Sequence, residues 1–205
     1  MDAHETHETI HHAAHGPGHE DGGHHAEGHH PAKASRNKRI AVLISVLAAL
    51  LAIIEAGGKN AQNASLGANI RANDLWAFYQ AKSIRQTTLR TSADMLEITV
   101  PGEAATKKAA EWRATAQRYD SDPETGEGRK ELSAKAKIAE ADRDHFLAAY
   151  HQFEYGAAAI EIAIVLCSAS VVTGMIVLTY AAGGLGLIGI IFGLLGWLAP
   201  TLIHL

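Results

Sequence analysis

A chain of 205 residues with a net charge of −4 and a mean hydropathy near zero has the bulk composition of a soluble protein. That average hides two apolar blocks, residues 40–54 and 162–205, neither of which holds an Asp, Glu, Lys or Arg. The 14 basic and 14 acidic residues of 57–156 balance, which excludes the basic excess a nucleic-acid partner calls for, and the single cysteine, Cys167, excludes an intrachain disulfide or a paired-cysteine metal or redox motif.

Residues 1–38 read as a disordered tail with a basic end, because they are polar, glycine-rich and poor in large apolar groups. The tail carries ten of the 13 histidines: His4, His7, His11, His12, His15, His19, His24, His25, His29 and His30. Neutral imidazole is a common ligand for divalent transition metals, and several of these pairs have the spacing of one helical turn. Weak divalent-metal binding here is the one cofactor interaction expected of the chain. The same imidazoles also suit a pH sensor.

Residues 39–57 read as a first transmembrane helix, short but not a cleaved signal, since a long polar stretch precedes it and no clean small-residue cleavage site follows. Lys33, Arg36, Lys38 and Arg39 crowd its leading edge, so the positive-inside rule places the N-terminus in the cytoplasm.

Residues 58–156 form a charged, alanine-rich insertion, periplasmic under this topology, with helices predicted at about 60–98, 103–119 and 129–155. In the first, Ala61, Ala68, Ala72, Leu75, Tyr79, Leu89, Ala93 and Leu96 follow a seven-residue repeat, interrupted by Ser65, Lys82 and Gln86. A second stripe, Ile70, Ala77, Ala81, Ile84, Met95 and Ile98, suits packing on two sides. Pro101-Gly102 ends this helix. The lengths predict a tall antiparallel hairpin whose descending arm is interrupted by the loop at 120–128. Its contacts are mostly alanine, which buries little area, so self-association is expected. Trp76, Phe78, Tyr79 and Arg85 are a candidate partner surface, with core packing the competing account of Trp76 and Tyr79. Asp120, Asp122, Glu124 and Glu131 match acidic positions of a calcium loop, but Thr125 stands where that loop needs glycine.

Residues 157–180 and 185–204 read as the second and third transmembrane helices, with a turn at Ala181-Ala182-Gly183-Gly184. Gly189, Gly193 and Gly196 permit close helix approach, within the hairpin or between copies. Glu55, Glu161 and His204 approach the outer membrane face, where they could bind a cation or relay a proton.

Three stretches, Asn73-Asp74-Leu75-Trp76-Ala77-Phe78-Tyr79-Gln80-Ala81-Lys82-Ser83-Ile84-Arg85, residues 120–128, and Glu161-Ile162-Ala163-Ile164-Val165-Leu166, resemble a bacterial membrane-protein family catalogued as domain of unknown function 4337. The resemblance covers about residues 36–200 and implies three spans with a helical insertion, often behind a His-rich tail. It departs at the turn between the last two spans, where basic residues are expected and none occurs. It brings no activity.

The expected fold is therefore an all-α membrane protein with three transmembrane helices and a long helical-hairpin, coiled-coil-like insertion between the first two. The expected function is that of a non-enzymatic, multi-pass inner-membrane scaffold, whose partners are the bilayer and a second copy or another membrane protein. A metal- or pH-responsive accessory protein using the tail, and an oligomeric ion or proton channel component, are the alternatives.

Overall fold

No proline interrupts the chain between Pro31 and Pro101, and one helix, α1 (Pro31–Thr99), fills nearly all of that interval. The computed structural model describes residues 31–202, and all regular structure among them is helical. At 69 residues, α1 is roughly 100 Å long. The chain reverses at Gly102, whose φ of 135° suits glycine, and descends as α2 (Glu103–Asp120). After the loop it continues down α1 as α3 (Arg129–Thr173), then turns into α4 (Ile176–Leu198). α2 and α3 both pack on α1 and meet each other only around the loop. The interrupted hairpin inferred from helix lengths is the observed arrangement.

Three helices, α1, α3 and α4, are long and apolar enough to cross a membrane. Their apolar ends form a three-helix bundle around Ile40, Leu47, Ile54, Phe153, Ile160 and Cys167. Glycine sets its closeness. A Cβ on Gly189 would lie 2.8 Å from the carbonyl oxygen of Gly156, so the α3 and α4 backbones touch there, and one on Gly193 would lie 2.9 Å from Ile54 Cδ1, so Gly193 makes room for a side chain of α1. Beyond the bundle α1 buries a single seam: Ala61, Ser65, Ala68, Ala72, Lys82, Gln86 and Ala93.

Several boundaries differ from those expected. Residues 31–38 belong to α1 rather than to the tail; proline is well tolerated in the first turn of a helix, and the residues after it are mostly helix formers. Gly57-Gly58 does not break α1. A Cβ on Gly57 would come 2.9 Å from the Phe153 ring, so this glycine admits an aromatic side chain instead. The reversal between the last two helices falls at Gly174-Met175, about two turns before the expected Ala181–Gly184. Gly174 takes a left-handed φ of 73°, and Ser170 Oγ donates to the Met175 carbonyl (2.9 Å) while bonding Thr179 Oγ1 (2.7 Å). Gly183 and Gly184 are ordinary helix positions in α4. The second stripe of α1 is not packed either: Ile84 is 68% exposed and Ile98 83%. On α3, Leu132, Ala139 and Phe153 are buried, whereas Phe146, at the same seven-residue spacing, is exposed. Residues 1–30 and 203–205, and with them the ten tail histidines and His204, lie outside the described residues.

Candidate functional site

The polar interruptions of the α1 seam mark where three elements meet. Lys82 and Gln86 are buried because the end of α2, the loop and the start of α3 all close over them. A buried polar group needs a partner, and each has one. Gln86 donates to the Ala116 carbonyl of α2 (3.2 Å) and accepts from Arg129 of α3. Lys82 pairs with Glu127 (3.7 Å) and lies over the rings of Phe78 (5.2 Å) and Tyr119 (5.1 Å). Arg129 also donates to the Tyr79 hydroxyl (2.9 Å), stacks on its ring (4.9 Å) and faces Asp120 (3.5 Å). Lys82 and Gln86 were visible as breaks in the repeat. Arg129 carried no periodic signal and emerges only from the fold.

The loop closes the same corner. Ser121 Oγ donates to Glu131 (2.7 Å), as does the Asp122 backbone N–H (3.2 Å). A Cβ on Gly128 would collide with Glu131 Oε2, so the carboxylate is held against bare backbone. These bonds depress the carboxyls below their ordinary range. Lys130 does so for Asp120, the Ser121 hydroxyl for Glu131 and Thr125 for Asp122. Three of the four acidic residues that suggested a calcium loop, Asp120, Asp122 and Glu131, are thus engaged with the protein's own donors, while Glu124 is exposed. Among the described residues no three His, Cys, Asp or Glu side chains converge as a metal site.

The aromatic cluster divides. Trp76 Nε1 donates to Glu140 of α3 (2.8 Å) and meets Tyr79 edge-on at 5.4 Å, so both join α1 to α3. Phe78 and Arg85 remain exposed. Farther out, Arg113 of α2 grips Asp94 (2.6 Å) and Glu97 (2.8 Å) of α1; the guanidinium lowers Glu97, and the two carboxylates raise Arg113.

At the apolar end the candidate ionisable groups separate. Glu55 stands at the margin of the bundle and approaches Lys59 (3.9 Å). Gly156 lies against Ile54, whereas Arg36 of α1 reaches Gly174, so α3 and α1 run antiparallel in a fixed register. That register sets Glu161 about 9 Å nearer the α3–α4 turn than Glu55, within the apolar zone rather than at its edge. An open groove of about 570 Å³ at the bundle margin is lined by Gly57, Asn60, His145, Phe153 and Trp197 among others; it contains one imidazole and no carboxyl.

The family model described as Domain of unknown function (DUF4337) matches residues 36–199. Neither a curated protein nor a solved structure matches the chain.

Proposed function

The chain belongs to the DUF4337 family, and we propose that it is a non-enzymatic bacterial inner-membrane scaffold, anchored by α1, α3 and α4 and self-associating through its helical insertion. The apolar ends of these helices supply the anchor, and the bilayer is its first partner. Tyr180 stands near one end of the bundle and Trp197 near the other, both exposed, as side chains at the two interfaces do. Arg36, Lys38 and Arg39 all lie at the end that holds the α3–α4 turn, and Arg36 approaches Gly174. The positive charge missing from the turn is provided by α1, which supports a cytoplasmic N-terminus and a periplasmic insertion.

The observation that carries the scaffold reading is the second stripe of α1. Leu66, Ile70, Ile84, Met95 and Ile98 are all more than half exposed, on a helix whose buried seam is already occupied by α2 and α3. Between Ile84 and Met95 the stripe is bridged by Thr88, whose hydroxyl donates to its own helix at the Ile84 carbonyl (3.0 Å) and so leaves its methyl free to pack. A long apolar stripe on a charged, water-facing rod is an interaction surface, and the same stripe of a parallel second copy stands at the same height.

The test is the mass of the full chain in mild detergent. Wild type is expected to run as a concentration-dependent oligomer, and the double variant Ile84→Glu/Ile98→Glu, still folded, to shift to lower mass at every concentration, toward the 21.8 kDa chain plus detergent. Wild type that stays monomeric at every concentration, or a variant that associates as wild type does, would overturn the reading.

A further inference from the structure

Among the described residues Glu161 is a carboxyl without a partner, in apolar surroundings. It sits on α3 between Ile160 and Ile162, about 7–8 Å beyond the Gly156–Ile54 contact and about 20 Å short of Gly174. Its side chain is exposed, and among the described residues it makes no hydrogen bond or ion pair. The nearest basic residues along the bundle are Lys59 at one end, beside Glu55, and Arg39 toward the other; residues 40–54 and 162–202 hold none.

A carboxyl turned toward hydrocarbon is costly, and such groups are almost always covered by protein. Nothing among the described residues covers this one. Its neighbours at helical spacing on the outer side of α3 are Ala158, Val165, Ser168 and Val172, all exposed. The Ser168 hydroxyl is spent on the Ile164 carbonyl (2.9 Å), so Glu161 is the one unsatisfied polar side chain of that strip. Ala158 and Ser168 are small enough for a second helix to come close.

We propose that Glu161 marks an intramembrane interface between two copies of this chain, with α3 packed on α3 about a two-fold axis along the membrane normal. Copies inserted the same way carry Glu161 at the same depth, and a two-fold interface sets a residue near its own symmetry mate. Each carboxyl then donates its hydroxyl to the carbonyl oxygen of the other, a reciprocal pair that satisfies both without a basic residue, which the apolar zone does not contain. The inference rests on the membrane-anchored reading, but it uses a surface separate from the α1 stripe.

The experiment is oxidative cross-linking of the full chain in native membranes, in a Cys167→Ser background that removes the buried native thiol. Single cysteines go at Glu161, at Val165, at Ile84 on the insertion stripe, and at Ile191 on the outer face of α4 as a control. Val165→Cys is expected to give a dimer-mass product, Glu161→Cys a smaller amount of it because the carboxyl is lost, and Ile191→Cys much less than Val165→Cys. Val165→Cys keeps the carboxyl in place, so a folding defect of Glu161→Cys does not decide the outcome. Adding Glu161→Leu to Val165→Cys should cut the product by about fivefold or more, whereas Glu161→Gln, which can still hydrogen-bond across the axis, should retain it. Cross-linking at Ile84 but not at 161 or 165 overturns this interface and leaves the scaffold reading intact; cross-linking at neither site overturns both. Equal yield at Ile191, full retention with Glu161→Leu, or an adduct of another mass also overturns it, the last by naming a different protein as the cover.

Discussion

Glycines of identical composition do opposite things in α4. A Cβ on Gly189 would meet Ile160 Cγ1 at 2.5 Å and the Gly156 carbonyl oxygen at 2.8 Å, and a backbone atom cannot step aside. Gly189→Ala is therefore expected to destabilise the bundle by about 1–3 kcal/mol, the range for overpacking. Gly183 faces open space, so Gly183→Ala removes only the flexibility of glycine and is expected to stabilise by about 0.5–1 kcal/mol. Thermal unfolding in mild detergent separates the two; a Gly189→Ala protein that melts with wild type would show that α3 and α4 are not in backbone contact. The glycine spacing was legible in the sequence, but not its partner, since packing within the hairpin and packing between copies ask for the same residues. For the same reason the turn was misplaced. Composition alone does not distinguish the left-handed glycine at 174 from the helical pair at 183 and 184.

At the scale of elements, the corner joining α1, α2 and α3 is held by carboxylates and should fail in acid. Asp120, Asp122 and Glu131 titrate below their ordinary values of 3.8, 3.8 and 4.5 in the folded chain, because each carboxylate accepts a hydrogen bond there. A group with a depressed folded pKa binds protons more readily when unfolded, so its stabilisation is present above the unfolded value and is lost as pH falls through the folded one. Amide exchange, corrected for intrinsic rate, is expected to keep residues 117–131 protected at neutral pH and to lose that protection from about pH 4 downward, before the α1–α3–α4 bundle opens. Corner protection that survives below pH 3 as well as the bundle's does would contradict the role given to these bonds. The helices and their order were legible from proline positions, the seven-residue repeat and length. What looked like imperfections in that repeat, Ser65, Lys82 and Gln86, are the polar contacts that fix α2 and α3 against α1; Ser65 donates to the Arg143 carbonyl at 3.3 Å. Their meaning depends on Arg129 and Ala116, distant in sequence. The second stripe misled in the other direction, because periodicity records which face is apolar and not whether anything covers it.

For the whole molecule, charge segregation and helix length produce one layout: an apolar three-helix end, basic residues and a turn at one margin, and a roughly 60 Å charged rod beyond the other. Three helices long and apolar enough to cross a membrane, and the place of the insertion between them, were legible because each rests on a run of residues. The depth of Glu161 was not, because it follows from the register of α3 on α1, which Gly156 and Gly174 set through contacts that no local pattern encodes. Both proposed interfaces depend on this layout, so side-specific labelling of single cysteines tests the account most directly. In a Cys167→Ser chain, Glu124→Cys in the loop at the α2–α3 corner and Ser35→Cys near the start of α1 are treated with a membrane-impermeant maleimide in intact cells. The account predicts labelling of the cysteine at 124 at once, and of the cysteine at 35 only after the inner membrane is permeabilised. Labelling of both from the same side would contradict it.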